Sequence, residues 1–153
     1  MIGVNMNMKT PSRNRQRGSA LLELALSVFL LLMVLTGIIE FGRVFYFSAE
    51  VANAARAGAQ WAAINPGHPN NLTAMQTAAT NDAVDMTNLT ATATEFCECD
   101  DGDSVNCTTG TCGSGAVRTY VQVKTSAPYS TMGSYFWMPS SFNVTAKAVL
   151  RVD

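Results

Sequence analysis

The sequence predicts an α+β protein. It should have a long N-terminal helix that crosses a membrane and extends beyond it, a short second helix, and a small antiparallel sheet of three to four strands with a disulfide-stapled loop. Three observations carry this. Leu24 to Ile39 is a run of 16 residues without a charge. Val117 to Thr125 and Phe142 to Val152 alternate apolar and polar side chains with period two. Four cysteines, Cys97, Cys99, Cys107 and Cys112, fall within 16 residues.

The apolar run sets the domain plan. Counted from Ser19 it gives 21 residues, or roughly 31 Å of helix at about 1.5 Å per residue, which matches a hydrocarbon core of about 30 Å. Lys9, Arg13, Arg15 and Arg17 precede it with no acid among residues 1–22. Such cations hold that end in the cytoplasm, so the remainder is expected outside it. The alternative is a cleaved secretory signal, which needs small residues just after the run. Here Glu40-Phe41-Gly42-Arg43-Val44-Phe45-Tyr46 follows, bulky and charged. The expected divisions are a basic leader (1–18), a transmembrane helix (19–39), its periplasmic extension (40–65) and a small α+β head (66–153).

Beyond the membrane the helical pattern persists to Ile64. Val44, Phe47, Val51, Ala54 or Ala55, Gly58 and Trp61 recur at three- and four-residue steps, with Glu50, Asn53, Arg56 and Gln60 on another face. Asn65-Pro66-Gly67 is the expected stop. The small residues Ala52, Ala55, Ala59 and Ala62 permit close packing, against the chain's own sheet or a neighbouring subunit. Residues 72–86 read as a second, weaker helix with Leu72, Met75, Ala79, Ala83 and Met86 on its apolar stripe. Thr87 to Glu98 reads as a threonine-rich strand, and Val117–Thr125 and Phe142–Val152 as two more. Between the last two, Tyr129 to Pro139 is expected as a loop whose Tyr135, Phe136, Trp137 and Met138 either plug the core or form a binding patch.

Glu23 is the one charge at the head of the apolar run. A carboxylate at the bilayer centre costs about 2.5–3.5 kcal/mol on insertion scales. It either snorkels to the surface or pairs with Arg17, or it serves as a functional partner for another charge. The segment Arg15-Gln16-Arg17-Gly18-Ser19-Ala20-Leu21-Leu22-Glu23 resembles a type IV pilin leader. Gly37-Ile38-Ile39-Glu40-Phe41-Gly42-Arg43 and Ala54-Ala55-Arg56-Ala57-Gly58 resemble the TadE-like family, pseudopilins or minor pilins of the tight-adherence (Tad, Flp) pilus machinery of bacteria. Leu24 stands where Flp pilins usually have Tyr.

The resemblance implies a pilin-like fold and a structural role in pilus assembly that supports adhesion. It also implies a processing site at Gly18, Ser19 and Glu23, and an assembly helix carrying Glu23, Glu40, Arg43 and Arg56. The implied partners are inner-membrane lipid, other pilin or pseudopilin subunits, pilus assembly proteins and, if the leader is cut, a prepilin peptidase. Cleavage after Gly18 would leave six basic against eleven acidic side chains, a net charge of −5. A filament-free alternative is a membrane-anchored extracytoplasmic binding module.

The cysteines are weighed as zinc ligands, a redox pair or disulfides. Cys97-x-Cys99 is tight for a structural zinc site, and an oxidising compartment favours disulfides. Asp101-Gly102 signals a turn, so a nested pairing is expected: Cys99 with Cys107 and Cys97 with Cys112. Glu98, Asp100, Asp101 and Asp103 lack the full register of a calcium loop and read as a solvated turn. A single histidine, His68, in a turn and the lack of nucleophile or phosphate-loop motifs argue against an enzyme. No cofactor and no metal are expected, and a net charge of −1 gives no footing for nucleic acid.

Overall fold

The computed structural model describes residues 13–65, 68, 70–113, 115–133 and 139–152, with residues 13–17 described as backbone only. Helix α1 spans Arg13–Ile64 and α2 spans Leu72–Asp82. Strand β1 is Thr90–Cys99, β2 Ser104–Val105, β3 Val117–Ser130 and β4 Ser141–Arg151. The chain divides into two compact units, the first ending at Ile39 and the second beginning at Glu40.

In the first unit, α1 carries its leucines, valines and isoleucines exposed. The residues forming this apolar stretch bury nothing against the protein. One of its hydroxyls is internally satisfied, because Thr36 Oγ1 donates to the Leu32 carbonyl at 2.8 Å.

In the second unit, the continuation of α1 from Glu40 packs on a sheet. Val51, Ala54, Ala55, Ala59 and Ala62 are fully buried, so three of the four small residues settle against the chain's own core. Asn65 closes the helix: its backbone N–H and its Nδ2 both donate to the Trp61 carbonyl, at 3.1 and 2.8 Å. Pro66 and Gly67, the expected stop, lie outside the described residues. Helix α2 begins at an Asn71 cap whose Oδ1 accepts from the Ala74 N–H at 3.1 Å. It ends at Asp82, four residues before the expected Met86. No basic residue occupies its last turn, and Asp82 and Asp85 crowd the end where the helix dipole disfavours negative charge.

The four strands form one antiparallel sheet in the order β2-β1-β3-β4. Strand β1 starts three residues later than expected, after Asn88 turns the chain with φ 66°. Strand β3 runs five residues past Thr125, into the segment read as a loop. Ala127 and Tyr129 continue the buried phase of Val121, Val123 and Thr125. Pro128 is tolerated because β1 ends its pairing at Ser126, leaving β3 a neighbour on only one side there. In β4, Phe142, Val144, Ala146, Ala148 and Leu150 are the half-buried alternate residues, as the pattern predicts.

The core consists of Ala59, Ala62, Met75, Ala79, Ala93, Val121, Val123 and Val152, flanked by Trp61, Leu72 and Leu150. It is closed by a backbone contact at Gly58. A Cβ there would sit 2.8 Å from the Met75 carbonyl oxygen and 3.0 Å from both Ala79 Cβ and Val123 Cγ1. A separate buried bond ties helix to sheet, as Thr125 Oγ1 donates to the Val51 carbonyl at 2.7 Å.

Gly58 gives a test of this packing. In an open helix Gly→Ala stabilises by about 1 kcal/mol. Here overpacking against a carbonyl and a methyl costs about 1–3 kcal/mol, so Gly58→Ala should lower the melting temperature, and Gly58→Val should lower it further. An increase on Gly58→Ala would show that α1 and α2 do not approach this closely.

Candidate functional site

Along α1 the sequence-predicted residues fall into three settings. Gly18, Ser19 and Glu23 lie in the first unit, in helix and exposed. Glu40 and Arg43 lie at the start of the second unit, and Arg56 four turns on, exposed.

Glu40 is the only charged residue buried in the described structure, at 7% exposure. Its carboxylate is fully used within the head. Oε1 accepts from Tyr129 Oη at 3.0 Å and from the Met132 N–H at 3.3 Å, and Oε2 accepts from Arg43 Nη1 at 3.2 Å. The guanidinium of Arg43 also lies 5.7 Å from the Tyr129 ring centroid. Tyr129 is flanked by Phe47, edge-on at 5.1 Å, and Phe142 at 5.4 Å. A buried carboxylate is tolerable only when paired and hydrogen-bonded, and three donors supply that. The result is a clasp between α1 and the chain leaving β3. Around it Phe41, Phe45 and Tyr46 are exposed, aromatic residues of the kind that sit at a membrane–water boundary.

The clasp was only half visible in the sequence. Glu40 stands among the expected assembly residues, whereas its partner Tyr129 falls in the expected loop. The signal was present, since Ala127 and Tyr129 keep the alternation of the preceding strand. Tyr135, Phe136, Trp137 and Met138 lie outside the described residues.

The cysteine loop corrects the expected pairing. The disulfides are Cys97–Cys107 and Cys99–Cys112, with Cα separations of 5.1 and 5.7 Å, crossed rather than nested. The turn is the reason. Cys99 N–H donates to the Asp103 carbonyl and Gly102 N–H to the Cys99 carbonyl, so β2 returns tightly with Cys97 opposite Val105. Cys107 thus emerges two residues past Cys97's partner. A second turn, in which Gly110 N–H donates to the Asn106 carbonyl at 2.8 Å, sends the chain on to Cys99.

The acidic turn is anchored too. Asp100 accepts from Arg118 Nε at 2.7 Å and from the Ala116 N–H at 3.0 Å. These bonds, Arg118 first, hold its carboxyl below the ordinary aspartate range. Among the described residues no cluster of histidine, cysteine, aspartate or glutamate is arranged to hold a metal ion.

Two outcomes follow from this geometry. Removing Glu40 takes away the acceptor of the Tyr129 Oη and Met132 N–H bonds, a loss of about 1–3 kcal/mol. Glu40→Ala should therefore destabilise the head by about that amount. Tyr129→Phe should cost less, and the double variant should show less than the sum of the two in a thermodynamic cycle. Strict additivity would dissolve the clasp.

Asp100 should titrate by NMR below the about 3.9 of a free aspartate, and Arg118→Ala should raise it toward that value. Because the folded pKa is depressed, the contribution of Asp100 to stability is complete above the unfolded pKa. It is lost as pH falls through the folded one. An Asp100 pKa unmoved by Arg118→Ala would mean the ion pair does not form.

Residues 18–60 match the family model described as TadE-like protein. No curated protein and no solved structure matches the chain. The matched span takes in the apolar helix, the Glu40–Arg43 end of the clasp, Arg56 and the close contact at Gly58. Among the described residues one helix is long and apolar enough, by length and composition, to cross a membrane, consistent with a single-pass anchor. Residues 18–60 of the chain are thus similar to the TadE-like family, which its helical motifs resemble.

Proposed function

We propose that this protein is a TadE-like minor pilin or pseudopilin. It is a structural, non-catalytic component of Tad pilus assembly, held in the bacterial inner membrane with a cytoplasmic N-terminus and a periplasmic head. The observation that carries the reading is the position of the family match. It begins at Gly18, the residue after which a leader would be cut, and continues through the apolar helix into the part of α1 that packs on the sheet.

In this reading the exposed Leu, Val and Ile side chains of residues 20–39 meet lipid first and other subunits later. A cut after Gly18 creates an ammonium on Ser19 at a helix N-terminus, where the dipole disfavours positive charge. Glu23, one turn on, offsets that charge, and across a subunit boundary it fixes register. Glu40 acts differently: its carboxylate is engaged inside its own head, so its part in assembly is to hold the head's shape. Arg56 is left facing outward. Two disulfides suit the oxidising side of the membrane.

The test is N-terminal sequencing of the native product in membrane and sheared-surface fractions. A chain beginning at Ser19 in the sheared fraction is expected. Glu23→Leu should leave membrane insertion intact and cut incorporation by about tenfold or more, since losing one member of a buried pair costs about 3–5 kcal/mol. A product confined to the membrane, with Glu23→Leu without effect, would favour an anchored binding module instead.

A further inference from the structure

The sheet ends in two open edges whose unused backbone groups can be assigned. Val152 N–H donates to the Thr119 carbonyl, which continues the β3–β4 register. Alternation along an antiparallel ladder then turns the N–H and C=O groups of Asn143, Thr145, Lys147, Val149 and Arg151 away from β3. On the other side Cys99 N–H donates outward to Asp103, so Ala91, Ala93 and Glu95 likewise face away from β3. Strand β2 covers only Cys97 and Glu98. Among the described residues no strand covers the edge of β1 from Thr90 to Phe96, nor that of β4. Between Thr90 and Phe96 the β1 edge has no proline, lysine or bulge, and Glu95 is its one charge.

The two edges also carry complementary, unspent charges. A shallow trough of about 280 Å³ runs beside β4, lined by Arg56, Gln60, Lys147, Ala148, Val149 and Leu150. Arg56 has no hydrogen-bond or ion-pair partner among the described residues, and neither does Glu95 on β1. Glu95 pairs in register with Val121, a core residue, so its side chain is on the helix-bearing face, the face on which Arg56 stands.

We propose that copies of this chain join edge to edge, the β1 edge of one copy adding in parallel to the β4 edge of the next, with Glu95 seated in the trough beside Arg56. Strands β1 and β4 already run in the same direction, since each is antiparallel to β3. In a parallel addition, side chains alongside each other keep to one face. Glu95 therefore falls on the Ala148–Leu150 side of β4, and the Glu40–Ile64 helices of both copies stay on one face and point the same way. An antiparallel addition would turn the second copy over and put its Glu95 on the face opposite Arg56. Pairing β4 with β4 would set Lys147 and Arg151 against their own likeness. The joint is heterologous, so it propagates rather than closes, and its affinity comes from main-chain bonds as in other strand additions. The inference rests on the filament reading above and names how its heads meet.

The test uses the full chain in its native membrane, with benzoylphenylalanine in place of Thr94, which is exposed on β1. After irradiation, the adduct should map to a peptide within residues 141–151 of a second copy. Glu95→Arg and Arg56→Glu should each lower its yield by about tenfold, which corresponds to about 1.4 kcal/mol. The double variant E95R/R56E should recover it to within about twofold. Glu95→Gln and Arg56→Gln, which leave no reversed charge to disturb folding, should lower it less. Intact disulfides report that each variant is folded.

A second probe in place of Leu26 reads contact between helices. Adducts from Leu26 without adducts to β4, adducts joining β4 to β4, or folded single variants that crosslink like the parent would overturn the edge joint while leaving the filament reading in place. Loss of intercopy adducts from both probes would overturn both.

Discussion

One helix carries two kinds of surface, and the rest of the molecule follows from how that surface changes at Glu40. Before that residue α1 presents large aliphatic side chains to its surroundings and buries none of them. An apolar surface of that extent is stable in water only when something covers it. After Glu40 the same helix turns small, with Ala54, Ala55, Gly58, Ala59 and Ala62 allowing the sheet and α2 to come close. The boundary itself is marked by a carboxylate that three donors hold in place.

The head built on that small-residue face has a thin core. Its largest fully buried side chains are Met75, Val51, Val121 and Val123, with alanines filling the remainder. A domain of this size gains limited stability from burial alone. Two crossed disulfides at the far end of β1 compensate by restricting the unfolded chain, and typical bridges contribute about 2–4 kcal/mol each. At the opposite end, Tyr129, Phe47 and Phe142 gather around Glu40. The sheet is thus pinned at both ends of its long strands, and among the described residues no strand covers the β4 edge or the Thr90–Phe96 part of the β1 edge.

The parts of this architecture legible in the sequence were those written as periodicity. The apolar run, the helical spacing through Trp61, and the alternation at Val117–Thr125 and Phe142–Val152 each correspond to an element. What escaped depended on register and on contacts between distant residues. The nested disulfide pairing assumed a symmetric hairpin about Asp101-Gly102. The tight return of β2 and the further turn at Asn106–Gly110 crossed it instead. The reach of β3 to Ser130 was hidden by Pro128, which reads as a strand breaker until one sees that its strand lacks a neighbour on that side. The Glu40–Tyr129 bond joins residues 89 positions apart, a separation that no local pattern records. The end of α2 at Asp82 shows charge at a helix terminus outweighing an apolar stripe that nominally continues to Met86.

The account stands or falls on lipid as the cover for residues 18–39. Alkaline carbonate extraction of membranes from cells making the full chain measures this directly, because it strips peripheral proteins and spares spanning ones. The full chain should remain in the pellet, with the head digested by protease added to the periplasmic side. Release into the supernatant, or a head reached by protease only from the cytoplasmic side, would contradict it.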